Sequence, residues 1–434
     1  MDAIWKASAE LPHFEPLRGD IQTDVLIVGG GIAGLLCAHR LAQDGVRTVV
    51  VEASEICSGT TGKTTAKITS QHGLIYDELI RRFGAERAGL YLRANEEALE
   101  EYRVLCRDMD CGFTERDACV YSANRPERIE RELKAVQRLG FPARAADRLP
   151  LPFPATGIVF PHQAEFHPLK FLGSIAGKLT IYEHTAVREL IGTRARTDNG
   201  SIAAEKIIVT THFPFLNKHG SYFLKLYQQR SYVLALEGAA DVHGMYIDER
   251  ENGLSFRNSG ELLLLGGGGH RTGKQGGCWQ ELSDFAAKAY PGAREVARWA
   301  TQDCMTLDGM PYIGRYSART ENLFVATGFG KWGMTTAMAA AGILADLVQG
   351  RENPYAGLFS PSRSLLRPQL AINGLEAITN LLTPTTRRCP HLGCALKWNA
   401  QEHSWDCPCH GSRFTEEGKL IDNPATGDLP GSRQ

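Results

Sequence analysis

The 434-residue chain has almost no net charge: 48 Lys and Arg stand against 49 Asp and Glu. Nucleic acid and anionic membrane surfaces select a basic excess, so neither is an expected partner. No run approaches the ~18 apolar residues of a membrane-spanning helix, and no transmembrane segment is expected. The opening residues, MDAIWKASAELPHFEP, lack the apolar stretch of a secretory signal, so the expected location is cytoplasmic. Cysteine is thin over most of the chain. Seven are scattered as far as Cys304, which excludes a disulfide framework there and suits buried thiols in a reducing compartment. The other four crowd into residues 389–409. Hydrophobic residues at 43% and charged residues at 22% are ordinary for a globular chain, long enough here for two or three domains.

What is present begins with Asp24–Val28, a short apolar run typical of a buried parallel strand. Gly29-Gly-Gly31-Ile-Ala-Gly34 follows at once, then a helical pattern stopped by Gly45, then a second apolar run ending at Glu52. Strand, G-x-G-x-x-G, helix, strand and acid make a dinucleotide fingerprint. Gly29 permits the tight turn, Gly31 lets backbone N–H groups approach a pyrophosphate, and Gly34 lets helix and strand pack closely. Glu52 is placed to accept hydrogen bonds from a ribose. A bare glycine-rich turn is the competing reading, and the full context argues against it.

A second strand–glycine–helix unit lies about 300 residues on: Asn322–Ala326, then TGFGKWGMT over 327–335, then an alanine-rich helix to 348. With the Thr- and Gly-rich loop over 54–72 and DGMPYIG at 308–314, this arrangement resembles the D-amino-acid-oxidase-like FAD-dependent oxidoreductases. The nearest branch is that of glycine/sarcosine oxidase and gamma-glutamylputrescine oxidoreductase, and the resemblance covers residues 15–360. It implies a Rossmann-like α/β FAD-binding domain of the glutathione-reductase type, in segments 1–75, 156–215 and 306–360. It also implies an α+β substrate domain with an antiparallel sheet, in 76–155 and 216–305. By the same resemblance Thr61 and Thr64 lie on the loop beside the isoalloxazine. Gly328, Gly330 and Thr335 close over its pyrimidine end, and the backbone of Val187 meets the adenine.

For the substrate side, Lys63, Lys67, Lys331 and Trp332 sit in loops that would border the flavin ring, where a cation could hold a substrate carboxylate; the alternative is surface lysine. Gly266–Gly269 is either a flexible hairpin turn or a close backbone approach, with His270 pointing inward. Sarcosine oxidases use a lysine near the equivalent strand to activate oxygen. None occurs over 261–269 and the nearest is Lys274, which favours a dehydrogenase.

Residues 361–385 read as a basic, loosely helical linker packed on the flavin domain. Beyond them come Cys389-Pro-His391-Leu-Gly-Cys394, twelve residues, and Cys407-Pro-Cys409-His410-Gly-Ser412. Zinc accepts Cys and His in many spacings. The C-x-H…C-x-x-H spacing matches the Rieske [2Fe–2S] family more closely. That resemblance makes Cys389 and Cys407 ligands of one iron and His391 and His410 ligands of an outer iron near solvent. It makes Cys394 and Cys409 a disulfide between the loops, and Ser412 a donor to a bridging sulfide. Phe414 stands where high-potential members carry Tyr, which implies a lower potential. The small all-β domain, 386–434, has room for only a reduced supporting sheet and must lean on the flavin domain.

The combination implies FAD and a [2Fe–2S] cluster in one chain. The leading expectation is oxidation of an amine or amino acid, with electrons leaving singly through the cluster to an acceptor protein or quinone. An oxidase with a structural or sensing cluster, and a flavin reductase fed through the cluster, remain open at this stage.

Overall fold

The computed structural model describes residues 3–274, 276 and 278–431. Its first sheet grows from the apolar run seen in the sequence. Strand Ile21–Val28 pairs in parallel with Thr48–Val51 on one side and Gly200–Val209 on the other. Gly200–Val209 pairs in parallel with Leu323–Thr327, and Tyr312–Arg315 closes that edge antiparallel. Ile181–Tyr182 extends the other edge. Leu26, Ile27, Val50, Ile207 and Ile208 are buried, as strands covered on both faces require. Helices Ile32–Gln43 and Gly333–Val348 pack against each other below this sheet. Ala337, Ala340, Ala341 and Ala345 are buried there, and such small side chains suit close helix approach.

The second sheet has nine strands. Its centre is the antiparallel set Arg294–Thr306, Leu226–Glu237, Leu262–Arg271 and Ser255–Ser259. It continues through Met245–Asp248 and Thr114–Ser122 to Thr156–Glu165, with Lys67–Ile68 at the edge. Two stretches expected in the dinucleotide segments, Lys67–Ile68 and Thr156–Glu165, lie in this sheet. Thr156–Glu165 belongs to this sheet and not to the dinucleotide domain, because it pairs over its length with Thr114–Ser122. Gly266–Gly269 lies inside strand Leu262–Arg271 and is not a hairpin turn.

The C-terminal domain is a sheet of four three-residue strands: Lys397–Asn399, Ser404–Asp406, Arg413–Thr415 and Leu420–Asp422. So small a sheet has little core of its own. Polar contacts dock it on the nine-stranded sheet instead. Within the domain, Arg413 pairs with Asp406 at 2.9 Å, Glu402 at 2.8 Å and Asp422 at 3.1 Å, which fixes Glu402 for the contact across. Glu402 also pairs with Arg230 and accepts from the Tyr232 hydroxyl at 2.9 Å. Arg230, Glu402 and Arg413 are all nearly inaccessible, so this is a satisfied buried network.

Before it, helix Pro368–Leu382 turns its polar residues inward. Asn373 accepts from Arg271 at 2.8 Å and Glu376 pairs with Lys274 at 2.6 Å, while Leu375 is 68% exposed and Leu382 76% exposed.

Candidate active site and cluster site

A cavity of about 930 Å³ runs between the two large sheets. Its dinucleotide end is built by the fingerprint. Gly29 has φ of 115°, and a Cβ there would lie 2.8 Å from the Thr210 carbonyl oxygen. A Cβ on Gly34 would fall 1.9 Å from the Gly29 carbonyl oxygen, so this glycine sets the helix–strand distance. Gly31 differs: its Cβ would meet only the Thr61 hydroxyl, at 3.2 Å, and would project into the cavity. That open cradle at a helix N-terminus fits a pyrophosphate. The Thr61 hydroxyl accepts from the Ile32 N–H at 3.1 Å. Glu52 lines the wall, with one carboxylate oxygen accepting from Gly30 N–H at 2.7 Å and the other from Ser54 N–H at 3.0 Å. Each oxygen keeps a lone pair free for a ribose hydroxyl. Burial pushes the Glu52 carboxyl up, against those backbone hydrogen bonds. Thr64, Val187, Gly328 and Gly330 also line the cavity. Thr335 does not; its hydroxyl is turned inward onto the Thr69 carbonyl at 3.0 Å.

At the other end stand Lys67, Lys331 and Trp332, with Gly266, Gly267 and Gly269. Trp332 stacks on His72 with ring centroids 4.9 Å apart. Lys67 donates to the Thr65 hydroxyl at 3.0 Å, and burial, with Arg257 nearby, lowers its pKa to about 7. Two expected residues are elsewhere. Lys63 is off the wall, its carbonyl accepting from the Trp299 indole at 2.9 Å. His270 bonds the Tyr232 hydroxyl at 3.0 Å and the Arg271 carbonyl at 2.9 Å. The pairing register slips between Arg230 and Tyr232, leaving Gly268 and Gly269 as a bulge that turns His270 toward the C-terminal domain.

The two cysteine loops converge below. The Cys389 and Cys407 sulfurs are hydrogen-bonded neighbours, both buried. Cys394 and Cys409 form a disulfide, and the Cys407 sulfur lies within 4.8 Å of both its sulfurs. The His391 and His410 rings are 5.0 Å apart. His391 Nε2 bonds the Asn217 amide oxygen at 3.0 Å and His410 Nε2 bonds the Phe223 carbonyl at 3.0 Å. Each ring must therefore carry its proton on Nε2. Both Nδ1 atoms are buried without a hydrogen-bond partner among the described residues. Two orphaned Nδ1 lone pairs and two buried cysteine sulfurs, brought together by these two loops, fit the donor set of a Rieske cluster. Burial lowers the imidazole pKa values to about 4 for His391 and about 3 for His410, so both rings are neutral near pH 7, the form that a metal ion takes. Phe213 and Phe223 of the flavin domain meet the histidine rings edge-on, with His410 buried and His391 half-buried. Phe414 is fully buried in the same apolar cluster as the four cysteines. The Ser412 hydroxyl accepts from Ala425 N–H at 3.0 Å, leaving its own proton for another acceptor.

Residues 24–347 match the family model of FAD-dependent oxidoreductases. The chain belongs to this family. Residues 379–432 match the Rieske [2Fe-2S] domain, so this FAD-dependent oxidoreductase carries a Rieske centre at its C-terminal end. The Bacillus subtilis protein YhfW, described as a Rieske 2Fe-2S iron-sulfur protein, is 35% identical, covering 99% of this chain and 97% of its own. That alignment extends over 495 positions against the 434 residues here, so the relative holds segments without a counterpart. Gamma-glutamylputrescine oxidoreductase of Escherichia coli is 25% identical over 83% of the chain and 93% of its own. Among solved structures, glycine oxidase of Geobacillus kaustophilus shares the fold with a TM-score of 0.66 at 20% identity, over 79% of this chain and 99% of its own. L-proline dehydrogenase of P. horikoshii does so at 0.67 and 18%, over 80% and 98%.

Several lining residues of this oxidoreductase escaped the sequence reading. Asp303, from strand Arg294–Thr306, faces the cavity among Lys331 and Gly269. More unexpected is a roof of Leu420, Ile421, Asp422, Asn423 and residues 425–428, all from the Rieske domain. The Asn423 side chain donates to the Thr211 and Phe213 carbonyls, and Arg188 donates to the Thr426 carbonyl at 3.2 Å. The only sequence signal was the expectation that a small cluster domain must lean on its neighbour.

Proposed function

We propose that this FAD-dependent oxidoreductase oxidises a C–N bond of an amine or amino acid and sends the electrons singly through its Rieske centre to an external protein or quinone. When bound, FAD supplies a two-electron acceptor for the C–N bond and the [2Fe–2S] centre a one-electron carrier. One shared strand carries the reading. Thr301 and Asp303 line the cavity, and Gln302 between them donates to the Gly411 carbonyl of the cluster loop at 2.8 Å. Gln302 also donates to Gln228 at 2.9 Å, and Gln228 in turn donates to the His410 carbonyl at 2.8 Å. The wall of one site is thus bonded to the ligand loop of the other. Gly29, Gly31 and Glu52 would hold the dinucleotide, Cys389, Cys407, His391 and His410 the cluster, and Lys67, Lys331 and Trp332 would border the reacting end. The amine substrate class is supported by the named activities of the relatives. We also place the enzyme in the cytoplasm: Cys37, Cys57 and Cys304 are buried thiols that suit a reducing compartment, and no described helix is long and apolar enough to cross a membrane.

The test is anaerobic titration of the holoenzyme with amines and amino acids, following flavin and cluster absorbance together. Flavin bleaching followed by cluster reduction is expected. A cluster that stays oxidised beside fully reduced flavin would overturn the relay.

A further inference from the structure

The charges that face the reacting end of the cavity are not equally occupied. Lys67 donates to Thr65 and Lys331 to the Glu251 carbonyl at 3.4 Å. Glu251 accepts from the Gln229 amide at 2.5 Å, and Arg250 is paired with Asp248 at 2.8 Å. Arg230, the other cation acting on this region, is committed to Glu402. Asp303 alone among these receives no hydrogen bond from any described residue; its interactions are the longer-range fields of Lys331 and Arg230. Its surroundings are dry enough for burial to lift its carboxyl to about 6, against those two cations. What surface it does expose opens into the cavity. A desolvated carboxylate without a donor is costly unless a ligand brings one.

We propose that Asp303 is the anchor for a positively charged nitrogen of the substrate, which makes the enzyme selective for aliphatic amines over carboxylates. The assignment rests on the amine-oxidising reading for the ligand class, but not on the relay to the Rieske centre. An ammonium group supplies the N–H donors that Asp303 lacks. A ligand carboxylate at the same point meets a like charge in low dielectric.

The test is equilibrium binding to the FAD- and cluster-loaded enzyme, anaerobically and by calorimetry, of two probes of equal length and opposite charge, butylammonium and butyrate. The wild type is expected to bind butylammonium in preference to butyrate. In Asp303→Asn, butylammonium is expected to weaken by roughly 10- to 100-fold, the worth of a charge-assisted hydrogen bond, and butyrate to gain. Asp303→Glu should keep the preference for the cation. Equal or tighter binding of butyrate by the wild type would overturn the assignment, and so would unchanged butylammonium affinity in Asp303→Asn. Should the Asn variant fail to fold, the wild-type comparison decides alone. Because binding is read without turnover, an enzyme that prefers butylammonium yet bleaches with no amine would sink the amine-oxidising reading and leave the anchor standing.

Discussion

At the scale of single residues, the three fingerprint glycines have separable duties. Gly34 is structural: a methyl group there collides with backbone at 1.9 Å, and no side-chain rotation relieves it. Gly31 faces the cavity, where a methyl group displaces only ligand space. Gly34→Ala is therefore expected to lose folded protein, a cost of several kcal/mol in the manner of overpacked cores. Gly31→Ala is expected to fold with near-normal unfolding behaviour and to lose FAD by roughly tenfold or more in affinity. Urea unfolding and the ratio of flavin to protein absorbance separate the two. Glycine spacing was legible in the sequence because local backbone geometry dictates it. Asp303 was not, since a lone acid in an alternating strand reads as a solvated face, and only the long pairing of Arg294–Thr306 with Leu226–Glu237 puts it inside.

At the scale of elements, helix Tyr76–Phe83 starts without a side-chain cap of its own. Glu132, from helix Pro126–Arg138, does that work from a distance, accepting from Tyr76 N–H at 2.7 Å and Asp77 N–H at 2.9 Å. Burial raises its carboxyl to about 7, in spite of those donors. A carboxyl raised on folding holds its proton longer in the native state. Its contribution is therefore fully present below about 4.5 and is lost as pH rises toward 7. Stability is expected to fall across that window by up to about 3 kcal/mol from this group. Glu132→Gln should flatten the urea midpoint between pH 5 and 7, and an unchanged slope would refute the assignment. The helix itself was readable from Pro126 at its start and Gly140 beyond its end; the distant cap was not, because nothing in local spacing ties residue 132 to residue 76. The Cys394–Cys409 disulfide pair was legible as motif. The hydrogen bonds of His391 to Asn217 and of His410 to Phe223 were not, because their partners lie nearly two hundred residues away.

At the scale of the whole molecule, the Rieske domain is part of the dinucleotide site. Its segment 420–428 roofs the cavity, and the same segment reaches the cluster loop, Ala425 N–H donating to Ser412. Two ligands that order one element favour each other's binding, and the coupling is reciprocal. Stripping iron anaerobically from the holoenzyme is expected to speed FAD release by roughly tenfold, read as the rise of free-flavin fluorescence after dilution. Identical release from cluster-bearing and cluster-free protein would show that the roof is passive. The two-domain assembly was half legible: a cluster module too small to stand alone had to lean somewhere. Where it leans was hidden in Arg230, Glu402 and Arg413, charges that resemble any exposed face until they are brought together.

Every other wall of the cavity precedes residue 420 in the chain, so the roof is the part synthesised last. During translation the nucleotide trough exists open before its cover does, and a bulky, two-ended molecule can be laid in from the side. After the cover docks, the same molecule would have to thread in lengthwise. Loading the flavin first and closing the iron domain over it is thus the order that the chain's own direction favours.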